Sequence, residues 1–243
     1  QDVQIESINP RPANVRVDND GNWLAEYLLP PGKKMDAEAK GKIKISLFPK
    51  KEPKTDSELS KYLKPKNYWE ADNDKIKKLA QSLKTPRAIY DYVANYLKYD
   101  YSRISASKPR IGALGLMDDP SSSVCLEFTD LFIALSRAAG IPAREIDGYA
   151  YTQNSKQRPL SLVKDVLHAW PQYYDKDLKT WVMVDPTWAN TTGGIDYFDV
   201  LDFDHITFVI KGESSEYPIP AGGYKLPGNE GEKDVDVSFA NYF

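Results

Sequence analysis

Two kinds of hydrophobic periodicity divide the chain into a β-rich first quarter and a helical middle. Apolar and polar residues alternate in Val15–Val17 and again in Lys42–Leu47, as expected for strands that expose one face. The turn-forming segment Asp18–Asn22 separates the first run from a further apolar run at Trp23–Leu28, which predicts a hairpin. The pattern therefore predicts a small β module at the start of the chain.

Helical spacing of apolar residues begins after about residue 70. One of the residues Asp72–Asp74 can cap a first helix, whose apolar positions share one face: Ile76, Leu79, Ala80 and Leu83. Thr85 and Pro86 provide an N-cap and a proline in the first helical position of a second helix. Its apolar stripe consists of Ile89, Tyr92, Val93, Tyr96 and Leu97.

A third helix is predicted to begin beside Cys125, the single cysteine of the chain. A serine of Ser121–Ser123 is expected to cap it, and Gly140–Pro142 ends it. The unpaired N–H groups and the positive dipole end of a first helical turn stabilise a thiolate, and they can stabilise an oxyanion on a carbonyl that the sulfur attacks. A lone cysteine among apolar residues is also typical of an inert core position, so the helix by itself leaves the role of Cys125 open.

A catalytic thiol needs a base, and the chain has two histidines, His168 and His205. His168 precedes a polar turn and a second apolar run that ends at Asp185, which predicts a hairpin. If Asp175 pairs with Leu178 across that turn, His168 stands directly opposite Asp185. Asp185 could then bind one imidazole nitrogen, direct the other toward Cys125, and raise the pKa of His168 so that a thiolate–imidazolium pair forms.

Each of these residues also has a purely structural interpretation. His168 could be a satisfied histidine on a strand, and Asp185 could be a strand-end carboxylate that opens the turn Asp185–Thr187. Their pairing across one hairpin favours the catalytic interpretation. His205 begins an apolar strand, His205–Ile210, where a structural role is the default, and it is the less favoured base.

Composition narrows the classes of partner. The chain has 32 basic and 35 acidic residues, and the basic residues are scattered, which argues against nucleic acid. No run approaches the roughly 20 apolar residues that a membrane-spanning helix needs. One cysteine excludes an intrachain disulfide and a multi-cysteine metal site, and Gly21 falls at the wrong place for an EF-hand calcium loop in Asp18–Asn22. We therefore assign no cofactor and no metal.

Residues from about Tyr68 to Lys211 resemble the transglutaminase-like superfamily. The resemblance rests on motifs in a characteristic order: the Cys125 helix running into Ser136–Arg144, the Gly148-Tyr149 strand, His168-Ala169-Trp170, Trp181, and Asp185-Pro186-Thr187. It implies a papain-like α+β fold and a triad of Cys125, His168 and Asp185. It also implies attack on a carboxamide or peptide carbonyl, an acyl-thioester intermediate, and transfer to an amine or to water.

One departure bears on the reaction. Leu126 follows the cysteine, where animal transglutaminases have a tryptophan. The compact form is more similar to bacterial and archaeal members of the superfamily, several of which are proteases or amidases.

These observations give the following expectations. The α+β catalytic domain covers residues 66–212, after a β-rich module with a linker at 1–65 and before a loop-rich extension at 213–243. The function is that of a thiol acyltransferase or hydrolase on a protein or peptide substrate, with a cysteine protease or amidase and a non-catalytic cell-surface binding module as alternatives. We expect no membrane span and an extracytoplasmic or cell-surface location, and make no prediction of the oligomeric state.

Overall fold

The computed structural model describes residues 1–48, 50–103, 109–150, 167–198, 204–220 and 235–238. The chain divides into two compact units, Gln1–Pro49 and Lys50–Phe243. The boundaries expected at residues 65 and 212 remain predictions.

The first unit consists of two small antiparallel sheets. Strand β1 (Asp2–Asn9) pairs with β4 (Glu38–Lys44), and β2 (Asn14–Val17) pairs with β3 (Trp23–Glu26). The β2–β3 pair is the predicted hairpin, and the Asp18 carboxylate closes its turn by accepting the backbone N–H groups of Asp20 and Asn22. The strand predicted at residues 42–47 begins and ends earlier than its alternation indicated.

The second unit contains the helices. Their bounds are α1 (Asp56–Leu59), α2 (Asp74–Leu83), α3 (Pro86–Tyr96), α4 (Gly112–Leu116), α5 (Cys125–Ala138) and α6 (Pro186–Thr191). The predicted caps of α2 and α3 are confirmed, because the Asn73 side chain accepts the N–H of Lys75 and the Thr85 hydroxyl accepts the N–H of Ala88.

Helix α5 occupies the centre of the core. Its residues 127–137 are all buried, and it packs against α2, α3, α4 and the sheet. Apolar side chains of α5 such as Phe128 and Leu131 belong to the main hydrophobic cluster, together with side chains of α2 and α3 such as Ile76, Ile89 and Val93. A helix surrounded on all sides is held in place by packing more than by its intrinsic propensity.

A four-stranded antiparallel sheet lies against these helices. Its strands are β5 (Ala143–Ala150), β6 (Leu167–Asp175), β7 (Thr180–Met183) and β8 (His205–Lys211), in the order β7-β6-β5-β8. The helices and the antiparallel sheet confirm the predicted α+β class. Among the described residues, no helix combines the length and the hydropathy needed to cross a bilayer.

The segment after residue 49 differs from the linker that its composition indicated. Leu59 and Tyr62 are buried and form a cluster with Tyr174 and Trp181 of the β6–β7 hairpin. The Tyr174 hydroxyl also donates a 2.8 Å hydrogen bond to the carbonyl of Glu52. Apolar packing and hydrogen bonds thus both attach this otherwise polar segment to the sheet.

The C-terminal extension is described only in part. Residues 213–220 and 235–238 contain no helix or strand, and the rest of the extension lies outside the described residues. The sequence pattern of Val235–Phe239 also predicts a last strand, but residues 235–238 form none, and Phe239 lies outside the described part.

Candidate active site

Cys125 is the first residue of α5, as predicted, and its side chain is partly exposed. The predicted serine cap is wrong, because Val124 occupies the N-cap position. The hydroxyl of Ser123 instead donates to the carbonyl of Pro120 at 3.3 Å. The buried carboxylate of Glu127 replaces the cap and accepts the N–H of Val124 at 3.1 Å. The start of the helix is thus fixed by a side chain from its own first turn.

His168 and Asp185 are in contact inside the protein. The Nε2 atom of His168 lies 2.8 Å from Oδ2 of Asp185, and both side chains are almost fully buried. Asp185 also caps α6, because its Oδ1 atom accepts the N–H of Trp188 at 2.9 Å. One carboxylate therefore orients an imidazole with one oxygen and begins a helix with the other.

The register that predicted this contact was wrong by two residues. Asp175 pairs with Thr180, not with Leu178, so the hairpin has a longer loop than expected. If this register is continued, Asp185 stands opposite Trp170 and one diagonal step from His168. A shift of two residues keeps every side chain on the same face of the sheet. The predicted contact between His168 and Asp185 therefore still forms.

The charges of the pair can be assigned from their surroundings. Burial alone would raise the pKa of Asp185, but His168 and His205 lower it to well below its usual range. An ionised carboxylate only accepts hydrogen bonds, so His168 donates from Nε2. Burial lowers the pKa of His168, but the attraction of Asp185 and hydrogen bonds with Asp185 and Cys125 outweigh it and raise the pKa to about 9. His168 is therefore an imidazolium at neutral pH.

Cys125 also contributes to the raised pKa of His168, so the thiol lies near the imidazole. Because Nε2 of His168 faces Asp185, Nδ1 is the nitrogen that remains for the sulfur. The structure brings His168 and Asp185 into contact, and a triad that includes Cys125 remains a prediction.

Two tryptophans that the sequence analysis gave no role surround His168. The rings of Trp170 and Trp188 stack on the imidazole at centroid distances of 5.7 and 6.0 Å, and both are buried. Indole faces attract a cation, which favours the imidazolium. Because they also exclude water, they strengthen the bond of the imidazolium to Asp185. Trp170 lies two residues after His168, a spacing that places both on one face of a strand.

A cluster of buried charges fastens the cysteine helix to the sheet. Arg110 pairs with Asp130 of α5 and, at 2.5 Å, with Glu145 of β5. Lys211 of β8 continues the cluster at 3.0 Å from Glu145 and 2.6 Å from Asp147. The sequence analysis missed these residues, because charged residues far apart along the chain give no signal of being neighbours.

His205, the less favoured base, also reaches the site. Its Nε2 atom lies 3.1 Å from Oδ2 of Asp185, the oxygen that His168 binds. These two histidines and Asp185 have ligand atoms within 4.8 Å of one another, a spacing at which a metal ion could in principle be held. Both Nε2 atoms, however, hydrogen-bond to Oδ2 of Asp185, so protons account for the arrangement.

Comparison with known proteins supports the resemblance. Residues 71–186 match the family model of the transglutaminase-like superfamily. A protein-glutamine gamma-glutamyltransferase of Pseudomonas aeruginosa is 29% identical over 114 residues, which are 45% of this chain and only 17% of that enzyme.

A solved structure that is 19% identical to this chain shares its fold. The crystal structure of a protein from Cytophaga hutchinsonii, named as a candidate cysteine protease, superposes with a TM-score of 0.56 and 19% identity over 88% of this chain and 73% of that chain. The periplasmic domain of TgpA from Pseudomonas aeruginosa gives a TM-score of 0.35 and 22% identity over 50% of this chain and 46% of that chain. The papain-like fold expected from the sequence is confirmed by the Cytophaga hutchinsonii structure, and residues 71–186 are similar to the transglutaminase-like superfamily.

Proposed function

We propose that this protein is a thiol enzyme that attacks amide carbonyls of a protein or peptide substrate. Cys125 is the nucleophile, His168 the base and acid, and Asp185 the carboxylate that orients the imidazole. One observation carries the proposal: the 2.8 Å bond from His168 to Asp185, in a histidine whose pKa is also raised by the thiol at the start of α5. A nucleophile, a base and an orienting group linked in this order are the components of an activated thiol site.

The charges on this chain fit a two-step acyl transfer. The Cys125 thiolate attacks the carbonyl carbon, and N–H groups in the first turn of α5 stabilise the oxyanion. His168 gives its proton to the departing amine or ammonia as the C–N bond breaks, which leaves an acyl-thioester on the sulfur. His168 then takes a proton from an incoming amine or water, and the sulfur departs as the thiolate.

The acceptor in the second step separates the two enzymatic candidates. An amine acceptor makes the protein an acyltransferase, in the reaction class named for the Pseudomonas aeruginosa relative, and water makes it a protease or amidase. The matched region is a small part of that relative, so substrate and acceptor are part of the proposal. A non-catalytic binding module is the third candidate, and the raised pKa of His168 beside a partly exposed thiol disfavours it.

The experiment begins with the thiol. Iodoacetamide should alkylate Cys125 at pH 6 at least about tenfold faster than in His168→Gln, because a neighbouring imidazolium activates a cysteine toward alkylation. Equal rates in both proteins would contradict the proposal and favour the binding module. Cys125→Ser controls for the site of labelling, since the chain has no other cysteine.

The substrate assay follows with a glutamine peptide and a fluorescent primary amine. Incorporation of the amine identifies a transferase, and ammonia release or peptide cleavage without incorporation identifies a hydrolase. Cys125→Ser should abolish either product. A product that persists in that variant would exclude the thiol mechanism.

We also propose a location outside the cytoplasm, based on the N-terminal β module and on what is usual in the superfamily. Fractionation of the source cells, followed by immunoblotting, tests it directly. Recovery of the protein in the cytoplasmic fraction would contradict it.

A further inference from the structure

Asp185 receives hydrogen bonds from two histidines on one oxygen atom. His168 lies 2.8 Å and His205 3.1 Å from Oδ2, each through its Nε2 atom. The side chain of His205 is 1% exposed, so this contact is as deeply buried as the pair it adjoins. Because Asp185 is ionised and can only accept, His205 must carry its proton on Nε2.

The pairing of the strands in the sheet places His205 beside Asp185. In β5, Gly148 pairs with His168 of β6, and Ala150 pairs with His205 of β8. Cross-strand partners share a face, and so do residues two apart, so both histidines project from the same face on either side of β5.

Gly148 makes this approach feasible. A Cβ atom at position 148 would lie 2.1 Å from the carbonyl oxygen of Ile206 and 2.7 Å from the ring of Trp170. The register of β5 and β8 also shifts between Asp147 and Gly148. A β-bulge of this kind redirects side chains, and here the residues beyond it include His205.

The ring of His205 is fixed in orientation by its neighbours. The indoles of Trp170 and Trp188 lie at centroid distances of 5.0 and 4.6 Å from the imidazole of His205. The backbone N–H of Trp188 donates to Oδ1 of Asp185. Together with the two histidines it gives the Asp185 carboxylate three donors. A carboxylate bound on both oxygens cannot rotate without breaking at least one of these bonds.

We propose that His205 is a positioning residue of this site, which holds Oδ2 of Asp185 toward His168. This inference rests on the proposed function of Cys125, His168 and Asp185. Without the His205 donor, Asp185 can turn away from His168, the imidazolium is less stabilised, and Cys125 loses part of its activation.

Two substitutions separate this role from simple packing. His205→Phe keeps a ring and removes the donor, whereas His205→Gln keeps a terminal N–H donor the same number of bonds from Cα as Nε2. We expect iodoacetamide alkylation of Cys125 at pH 6 to be about tenfold slower in His205→Phe and to recover to within about threefold of wild type in His205→Gln. Circular dichroism and the melting temperature verify that each variant is folded.

The possible results are distinct. Unchanged alkylation in His205→Phe, or an equal loss in both variants, overturns the positioning role and leaves the proposed function standing. A wild-type thiol no more reactive than that of His168→Gln removes the proposed function, and the positioning role with it.

Imidazole ¹H–¹⁵N spectra of the wild type and of Asp185→Asn provide a test that does not depend on a folded His205 variant. The chain has only two histidines, so the signals can be assigned by elimination. Asp185→Asn should shift the Nε2–H signals of both rings. A shift confined to the His168 ring overturns the inference.

Discussion

At the scale of single residues, the site depends on one buried carboxylate. Asp185 neutralises the imidazolium of His168, binds His205 and caps α6. If Asp185 is removed, its three buried donors lose their acceptor. Both the free energy of unfolding and the reactivity of the thiol should therefore fall.

The raised pKa of His168 predicts a pH-dependent contribution to stability. The pKa is raised from 6.5 to about 9, so the folded state binds the proton more tightly than the unfolded state does. The stabilisation is therefore fully present below pH 6.5 and is lost as the pH rises through about 9. Urea unfolding should show a larger free-energy difference between wild type and His168→Gln at pH 6 than at pH 10. A difference that stays constant or grows with pH would contradict the ion pair.

The candidate residues could be identified from the sequence because there were few to choose from. One cysteine and two histidines leave a short search, and the helix start and hairpin place them. The contact from His205 to Asp185 could not be predicted, since it depends on a bulge and on the order of strands in the sheet. Neither the bulge nor the strand order produces a periodic pattern of apolar and polar residues in the sequence.

At the scale of elements, strand β5 holds the site together. It lies between β6, which carries His168, and β8, which carries His205. Its polar residues Glu145 and Asp147 reach the buried charge cluster, and Gly148 allows the close approach of β8.

Gly148→Ala should be strongly destabilising. The added methyl group would meet backbone oxygen of Ile206, which cannot yield without moving β8, so we expect a loss of about 2 kcal/mol or more in the free energy of unfolding. Gly115→Ala in α4 is the matched control. Its methyl group would meet only the Ile111 side chain, and alanine favours a helix, so we expect a change within about 1 kcal/mol. Equal effects in denaturant unfolding would show that close approach is unimportant at position 148.

The buried charge cluster leads to a second prediction on β5. Burial and the charge of Glu145 raise the pKa of Asp147 from 3.8 to about 7, against the opposing effect of Lys211. An acid whose pKa is raised on folding loses stability as the pH rises between those two values. Asp147→Asn mimics the protonated form, so its stability relative to wild type should increase by about 2 to 3 kcal/mol from pH 5 to pH 8.

Chemical denaturation at the two pH values measures this gain. Asp177→Asn, in the exposed β6–β7 turn, controls for the loss of one negative charge from the whole protein. A larger advantage of Asp147→Asn at pH 5 than at pH 8 would contradict the prediction.

At the scale of the whole molecule, the buried core lies in one unit. Every buried hydrophobic side chain of the described residues lies at Leu59 or later, whereas large apolar side chains of the first unit such as Val17, Trp23 and Phe48 are exposed. The two units therefore differ in how much of their stability can come from hydrophobic burial.

Removal of residues 1–49 should leave the larger unit folded. Since the core is confined to residues 50–243, we expect the melting temperature to change by less than about 3 °C and Cys125 to keep its rate of alkylation. Differential scanning calorimetry and the iodoacetamide assay measure the two quantities. A much lower melting temperature would show that the β module stabilises the larger unit.

The sequence by itself determined the local structure and the candidate residues of the site. The caps of α2 and α3, the start of α5 at Cys125 and the α+β class follow from short-range patterns, because backbone hydrogen bonding and periodic burial act over a few residues. The contact of His168 with Asp185 could also be predicted from the sequence, because the two residues belong to the same hairpin.

Only the tertiary structure decided which distant residues meet. The cap of α5 by Glu127, the indoles around His168, the buried charges and the second histidine on Asp185 depend on how strands and helices pack. These contacts join side chains through space, and their energies depend on burial, which no short stretch of sequence specifies.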